Sequence, residues 1–257
     1  MKLLVTAITL LSITSCAGVQ SLPATGSRPT ASPPDRRQES KRAIGFYTDE
    51  IRQNPGNVDA YFRRGSARGD LGDHHGAIED FSHALRLNPK LVEAYINRGV
   101  GKQNLGDYDG ALADYNQAIS INPQHATAYY DRGSVNEKLT NYHKALSDYS
   151  QALRLNPKHA LAYFRRGIIK EVLEDYLGAI ADFSQTIELI PDRGDPYYRR
   201  GLVKDKMKDY RGAINDYTRA ITLDPNNIEA YCHRSFAKHQ LGEKPSKEDY
   251  KYCPGLN

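Results

Sequence analysis

Apolar and small residues recur at the spacing of an α-helix along most of the chain, in short segments that polar turns separate. The first clear pair of segments covers residues 58–71 and 75–87, with Gly72 in the turn between them. Pro89 ends the second segment, because proline cannot donate a backbone N–H and pushes the residue before it out of helical geometry. This pattern predicts two antiparallel helices joined by a tight turn.

Facing positions in these two segments hold small and aromatic residues. Gly65 and Ala77 would let the predicted helices approach closely, and Tyr61 and Phe81 would fill the wider ends of their interface. A single helix pair of this length cannot enclose its own apolar face. Neighbouring pairs must therefore stack against it.

Two markers show that the pair recurs every 34 residues. The motif Tyr-x-x-Arg-Gly begins at Tyr61, Tyr95, Tyr129, Tyr163 and Tyr197, and a sixth copy at Tyr231 has serine in place of the glycine. Prolines keep the same step at Pro55, Pro89, Pro123, Pro157, Pro191 and Pro225. Because the markers stay in phase over five periods, chance does not explain them.

These markers resemble the tetratricopeptide repeat, with Val58 at position one of the first full copy. The resemblance covers residues 43 to about 242 and extends to an aromatic at position 24 and a small residue at position 27. It implies an all-α fold, a right-handed α-solenoid of stacked antiparallel helix pairs. Thr186 departs from the small residue expected at position 27, so the fourth repeat is expected to be slightly splayed.

The ends of the array follow the same logic. Residues 43–57 match a second helix without its first, which predicts a half repeat before the five full repeats of residues 58–227. Residues 228–257 predict a degenerate last repeat, in which a short polar helix replaces the second helix. The terminal unit of a solenoid needs a polar outer face, so we interpret this segment as a cap.

Residues 1–15 have the pattern of a bacterial export signal, with an apolar run at 3–13 that is too short for a bilayer core of about 30 Å. Residues 13–16, Ile-Thr-Ser-Cys, resemble a bacterial lipobox. The resemblance implies cleavage before Cys16 and acylation of that cysteine, as in lipoproteins that carry palmitate. Two or more acyl chains would hold the protein on a membrane. The alternative is an ordinary cleaved signal and a soluble periplasmic or secreted protein.

Residues 16–42 are rich in Pro, Ser and Thr and predict a disordered tether that follows the lipidated cysteine. Ala17 stands where an aspartate would retain such a lipoprotein in the inner membrane. The lipobox resemblance therefore implies an anchor in the outer membrane, with the protein facing the periplasm.

Charged residues also recur with the 34-residue period. Position seven, where the family usually has leucine, holds Arg64, Arg98, Arg132, Arg166, Arg200 and Arg234, and the residue before each second-helix aromatic is Asp80, Asp114, Asp148, Asp182 or Asp216. Because the arginines and the aspartates recur together at fixed positions of the repeat, we expect Arg–Asp pairs that bridge the two helices. The alternative is a row of arginines that grips carboxylates or phosphates. Arg234 has no acid at the matching place, where Tyr250 lies.

In the family, the first helices line a concave groove that holds a partner. The residues predicted to line it are Phe62, Ile96, Tyr130, Phe164 and Tyr198 at position five, Val100, Ile168, Leu202 and Phe236 at position nine, and Arg165 and Arg199 at position six. Apolar and aromatic side chains suit the anchoring of an extended segment or a helix. About half of them, mainly the aliphatic residues at position nine, are expected to pack against the neighbouring repeat instead.

Composition and motifs narrow the functional classes. The 35 basic and 31 acidic residues are interspersed and leave a net charge of +4, which does not indicate a nucleic-acid-binding surface. The sequence has no phosphate-binding loop, no nucleophile elbow and no His/Cys spacing typical of a metal site. We therefore expect no enzyme activity, no metal and no cofactor.

Cys232 and Cys253 form a candidate disulfide. The short final helix would fold back along the first helix of the last repeat and bring Cys253 toward Cys232. An exported protein meets an oxidising compartment. Both a disulfide and two free thiols remain open at this point.

The hypothesis from sequence is a membrane-anchored scaffold of the bacterial cell envelope that binds a segment of an unidentified protein in its groove. One alternative is a structural protein that self-assembles into homo-oligomers. Another is a carrier or receptor for an apolar small molecule.

Overall fold

The computed structural model describes residues 33–253, and all regular structure within this range is helical. The predicted signal peptide, Cys16 and the tether up to residue 32 lie outside the described residues. The helices are α1 Pro33–Gln53, α2 Val58–Asp70, α3 His74–Leu87, α4 Val92–Asn104, α5 Tyr108–Ile121, α6 Ala126–Lys138, α7 Tyr142–Leu155, α8 Ala160–Val172, α9 Tyr176–Leu189, α10 Gly194–Lys206, α11 Tyr210–Leu223, α12 Ile228–Gln240 and α13 Lys247–Tyr252.

From α2 to α13, each helix packs mainly against its neighbours in the chain, which confirms the predicted stack of helix pairs. The first helices of successive repeats also contact one another, as seen between α2 and α4, α4 and α6, α8 and α10, and α10 and α12. The first helices therefore share one continuous surface, which we call the groove.

Helix α1 begins earlier than the sequence predicted. The tether was expected to extend to residue 42, but α1 starts at Pro33, and Ser40 within it is buried. Proline is tolerated in the first turn of a helix, where its missing N–H has no partner in any case, and the Arg, Gln, Glu and Lys residues that follow favour a helix. Only the first residues of α1, up to Gln38, belong to a separate compact unit; the stacked repeats belong to the unit that begins at Glu39.

The turn between the two helices is built alike in every repeat. Position fifteen of the repeat lies in this turn and has a positive φ. Glycine adopts this backbone conformation freely at Gly72 (83°), whereas the side chains of Thr140 (58°) and Glu174 (61°) disfavour it. The next residue caps the second helix in most repeats, as where the Asp73 side chain accepts a hydrogen bond from the Gly76 N–H. A short polar segment thus sets the direction of each second helix.

Glycine at position eight sets the distance between the two helices. A β-carbon on Gly99 would lie 2.7 Å from the ring of Tyr115, and one on Gly167 would lie 2.8 Å from the ring of Phe183. The fourth repeat is therefore as tightly closed as the second, and the expected splay at Thr186 is wrong. The Thr186 hydroxyl is buried and donates to the Asp182 carbonyl at 2.9 Å, so the polar group is satisfied within its own helix.

Candidate partner-binding groove

The Arg–Asp pairs lie between the two helices of each repeat, as predicted. Arg98 donates from Nη2 to Asp114 Oδ1 at 2.6 Å and from Nε to Oδ2 at 2.9 Å. Its third nitrogen, Nη1, donates to Ser82 Oγ of the preceding repeat at 3.1 Å, and its guanidinium carbon lies 5.5 Å from the centre of the Tyr95 ring. One arginine thus links two helices and two repeats.

The same contacts recur along the array, and we call this series the ladder. It consists of Arg64, Arg98, Arg132, Arg166 and Arg200 with Asp80, Asp114, Asp148, Asp182 and Asp216, and with Thr48, Ser82, Asn116, Ser150 and Ser184 of the preceding second helix. Because these guanidinium groups are already engaged in buried or partly buried contacts, the row does not serve to grip an external anion. The contact between Arg64 and Thr48 places α1 as the second helix of a half repeat.

A second cation at position eleven also contacts most ladder carboxylates, and the sequence analysis missed it. Lys102 Nζ lies 2.8 Å from Asp114 Oδ2, and Lys170 and Lys204 make the same contact with their own aspartates. The third repeat differs, because Asn136 donates to Asp148 Oδ2 at 3.1 Å in place of a cation. The signal was present in the sequence, since position eleven follows the ladder arginine by one helical turn.

The last repeat completes the ladder, contrary to prediction. Arg234 pairs with Asp249 at 2.7 Å, and Lys238 reaches the same carboxylate at 2.8 Å. The turn before α13 brings the acid in one residue earlier than the period requires, so the partner is Asp249 and not Tyr250. Burial alone would raise the pKa of Asp249, but hydrogen bonds from Lys238, the Ser246 backbone and Arg234 hold this pKa below its usual value.

The aromatic residues at position five form the floor of the groove. Tyr130 and Tyr198 are half-buried, and their rings lie 5.6 Å and 6.0 Å from the Tyr149 and Tyr217 rings of the second helix. Phe62 packs on Phe81 in the same way. These side chains pack against the second helices of their repeats and keep part of their surface accessible.

Two predicted groove residues at position five belong to the core instead. Ile96 and Phe164 are buried, and each lies in a hydrophobic cluster with residues of its neighbouring helices. The prediction that they contact a partner directly is therefore wrong, since a partner cannot reach side chains that the repeat itself encloses.

Position nine is exposed at two points along the groove. Val100 and Phe236 each keep 38% of their surface exposed, whereas Ile168 and Leu202 are half-buried and pack on the core clusters of their repeats. The clusters that Ile168 and Leu202 pack on include Val203 and Ala237, respectively, from the next repeat.

Arginine and acidic side chains bridge successive first helices. Arg165 Nη1 lies 3.3 Å from Glu137 Oε1, and Arg199 Nη1 lies 3.6 Å from Glu171 Oε2. In each case the arginine at position six reaches the acid at position twelve of the repeat before it. We call this series the groove row, and both predicted groove arginines belong to it.

Four segments of the chain match known family patterns. Residues 58–91, 126–159 and 195–227 match tetratricopeptide repeats, and residues 104–139 match the family described as TPR repeat. The chain is a tetratricopeptide repeat protein. Among curated proteins, none matches its sequence.

Solved structures share this architecture at low sequence identity. YrrB superposes with a TM-score of 0.62 at 21% identity and covers 72% of this chain and 95% of its own. PilF of Pseudomonas aeruginosa has a TM-score of 0.67 at 16% identity, over 77% of this chain and 92% of its own. MamA from Desulfovibrio magneticus RS-1 has a TM-score of 0.58 at 21% identity, over 64% and 92%. These similarities show that the tetratricopeptide repeat protein shares its fold with the three solved structures.

A disulfide joins Cys232 of α12 to Cys253 after α13, with 5.4 Å between the Cα atoms. It attaches the end of the short last helix to the first helix of its repeat. Cys232 is the position-five residue of this repeat, so the groove floor ends in a covalent link at the cap.

Within residues 33–253, the side chains of His, Cys, Asp and Glu form no group of three that could hold a metal ion. No helix in the described part of the chain is both long and apolar enough to cross a membrane.

Proposed function

We propose that this tetratricopeptide repeat protein is a scaffold of the bacterial cell envelope that binds a segment of a partner protein in its groove. The observation that carries the proposal is the groove floor of half-buried tyrosines, flanked by the exposed apolar side chains Val100 and Phe236. Exposed aromatic and apolar groups on a rigid surface are typical anchors of protein interfaces. YrrB is described as a TPR protein with an unusual peptide-binding site, which is consistent with such a use of the fold.

The proposed location depends on the two ends of the chain. The lipobox-like residues before Cys16 support a lipid anchor, and the Cys232–Cys253 disulfide supports a compartment in which disulfides persist. Mass spectrometry of the membrane-extracted protein should find Cys16 as an acylated N-terminus. A Cys16→Ala variant should move to the soluble fraction, and its retention on the membrane would contradict the anchor.

Site-specific crosslinking in intact cells tests the groove. A photoreactive amino acid at Val100 should capture a partner, because this side chain is exposed on a first helix. Leu177 is the matched control, since it is 72% exposed and apolar but lies on the second helix α9. Equal capture from both positions, or capture from Leu177 alone, would place the partner elsewhere on the array.

Substitution of the groove floor gives an independent test. Tyr130→Ala together with Tyr198→Ala should reduce capture from Val100 strongly, because both residues lie on first helices and keep part of their surface accessible. The double variant should keep its helical circular dichroism, which checks that the array remains folded. Full capture by a folded double variant would argue that the floor does not contact the partner.

A further inference from the structure

The groove row stops before the end of the array. Arg165 pairs with Glu137, and Arg199 pairs with Glu171, each across 28 residues of sequence. The next acid at position twelve is Asp205, and the residue 28 positions later is His233. Burial lowers the pKa of His233, so this imidazole is neutral at pH 7 and does not replace the arginine.

Within residues 33–253, Asp205 forms no ion pair that corresponds to those of Arg165 and Arg199. Its Oδ1 atom is buried and accepts no hydrogen bond within residues 33–253, while the residue as a whole is only half-buried. Burial raises the pKa of Asp205 to about 6. A buried carboxylate without a partner is costly, and a cation that reaches it would recover part of that cost.

Tyr217 supplies a second and independent observation. Its side chain is fully buried, and its hydroxyl group has no hydrogen-bond partner in the described part of the protein. The equivalent hydroxyl of Tyr149 donates to Glu137 at 2.6 Å, and that of Tyr115 donates to Gln103 at 3.2 Å. By repeat equivalence the Tyr217 hydroxyl is directed toward Asp205, whose side chain is one methylene shorter than that of Glu137.

The surroundings of the half-buried Asp205 side chain favour a positively charged, planar group. The His233 ring lies 5.7 Å from the Tyr217 ring and 5.9 Å from the Tyr198 ring, so aromatic faces border the site. Arg199 and Lys206, which lie on the same helix as Asp205, both contact Glu171. A guanidinium group presents several N–H donors in one plane and stacks on aromatic rings, as the ladder arginines do throughout this chain.

We propose that the half-buried carboxylate of Asp205 binds the arginine side chain of a partner segment seated in the groove, with the buried Tyr217 hydroxyl behind it, and that this arginine supplies the guanidinium missing from the groove row at this junction. This inference rests on the proposed function of the groove. It identifies the partner segment as one that carries a basic side chain near the disulfide-closed end of the array.

The test uses the full chain and N-acetyl-arginine amide as the probe, with N-acetyl-citrulline amide as its uncharged counterpart. Amide resonances of residues 205, 217 and 233 should shift saturably with the arginine probe in NMR titrations. Asp205→Asn should weaken this binding about tenfold, which corresponds to the loss of one charge-assisted hydrogen bond. Glu137→Gln is the matched control at position twelve and should leave the titration unchanged, since Glu137 already has Arg165.

A second variant tests the geometry without the probe. His233→Arg should restore the groove row by pairing with Asp205, raise the melting temperature and block the arginine titration. Equal shifts with citrulline, titration unaffected by Asp205→Asn, or the absence of shifts at these residues would overturn the inference. Capture from Val100 in cells together with any of these results would leave the groove intact as a binding surface and reject only the arginine site.

Discussion

The ladder and the groove row are two series of ion pairs in one array, and they differ in completeness. The ladder pairs an arginine with an aspartate in all six repeats, including the shortened last one. In the part of the chain that the structure describes, the groove row pairs at two junctions, through Glu137 and Glu171. Uniformity is expected of contacts that hold each repeat to the next, whereas local variation on an accessible surface is expected where a particular partner is recognised.

Removal of a ladder carboxylate should have the largest effect on stability. Asp114→Ala leaves both Arg98 and Lys102 without their buried partner and should lower the free energy of unfolding by about 3–5 kcal/mol. Chemical denaturation followed by circular dichroism measures the change. A loss below about 1 kcal/mol, the size expected of a surface pair, would contradict the structural role of the ladder.

The third repeat allows the two partners of one ladder pair to be compared. Asp148→Ala should lower the melting temperature more than Arg132→Leu, because leucine restores the apolar residue usual for the family, whereas alanine strands a guanidinium group. Thermal melts of both variants measure the difference. Equal or reversed shifts would count against the pairing.

Asp131 should show a pH-dependent effect on the groove side. Burial raises the pKa of Asp131 to about 7, so the folded state retains a proton that the unfolded state releases near pH 4. Its contribution to stability is therefore lost as pH rises from about 4 through 7. Asp131→Asn should raise the melting temperature by about 2–4 °C at pH 8 and by less at pH 5. An equal gain at both pH values would argue that Asp131 does not titrate in this range.

Loss of charge in the groove row should have the smallest effect. Glu137→Gln removes the partly exposed ion pair with Arg165 but leaves an oxygen that can accept from Tyr149. The expected loss in the free energy of unfolding is about 1 kcal/mol or less. A loss as large as that of Asp114→Ala would remove the distinction between the two series.

The sequence predicted the features that repeat with the 34-residue period and missed those that depend on local departures from it. The ladder followed from the phase of Arg98 and Asp114, and the positions of glycine and aromatic residues predicted how closely the helices pack. Asp249 was missed, because the shortened turn before α13 shifts the pairing by one residue and a period cannot show that.

The candidate groove was predicted less completely than the fold. Phe164 and Tyr198 occupy the same position in successive repeats, but packing buries the first and leaves the second half-buried. The buried oxygens of Asp205 and Tyr217 follow from side-chain length and from the identity of His233, which act across two repeats. Such contacts are set by tertiary packing rather than by the local pattern.

The role of Asp205 in recognition is tested most directly by the yield of partner captured from Val100 in cells, compared between the wild-type chain and Asp205→Asn at equal amounts of folded protein. We expect a strong loss of capture with an unchanged or slightly raised melting temperature, because Asp205 serves recognition and its burial as a carboxylate does not favour the fold. Full capture by Asp205→Asn would contradict the claim that the incomplete groove row marks the site of partner recognition.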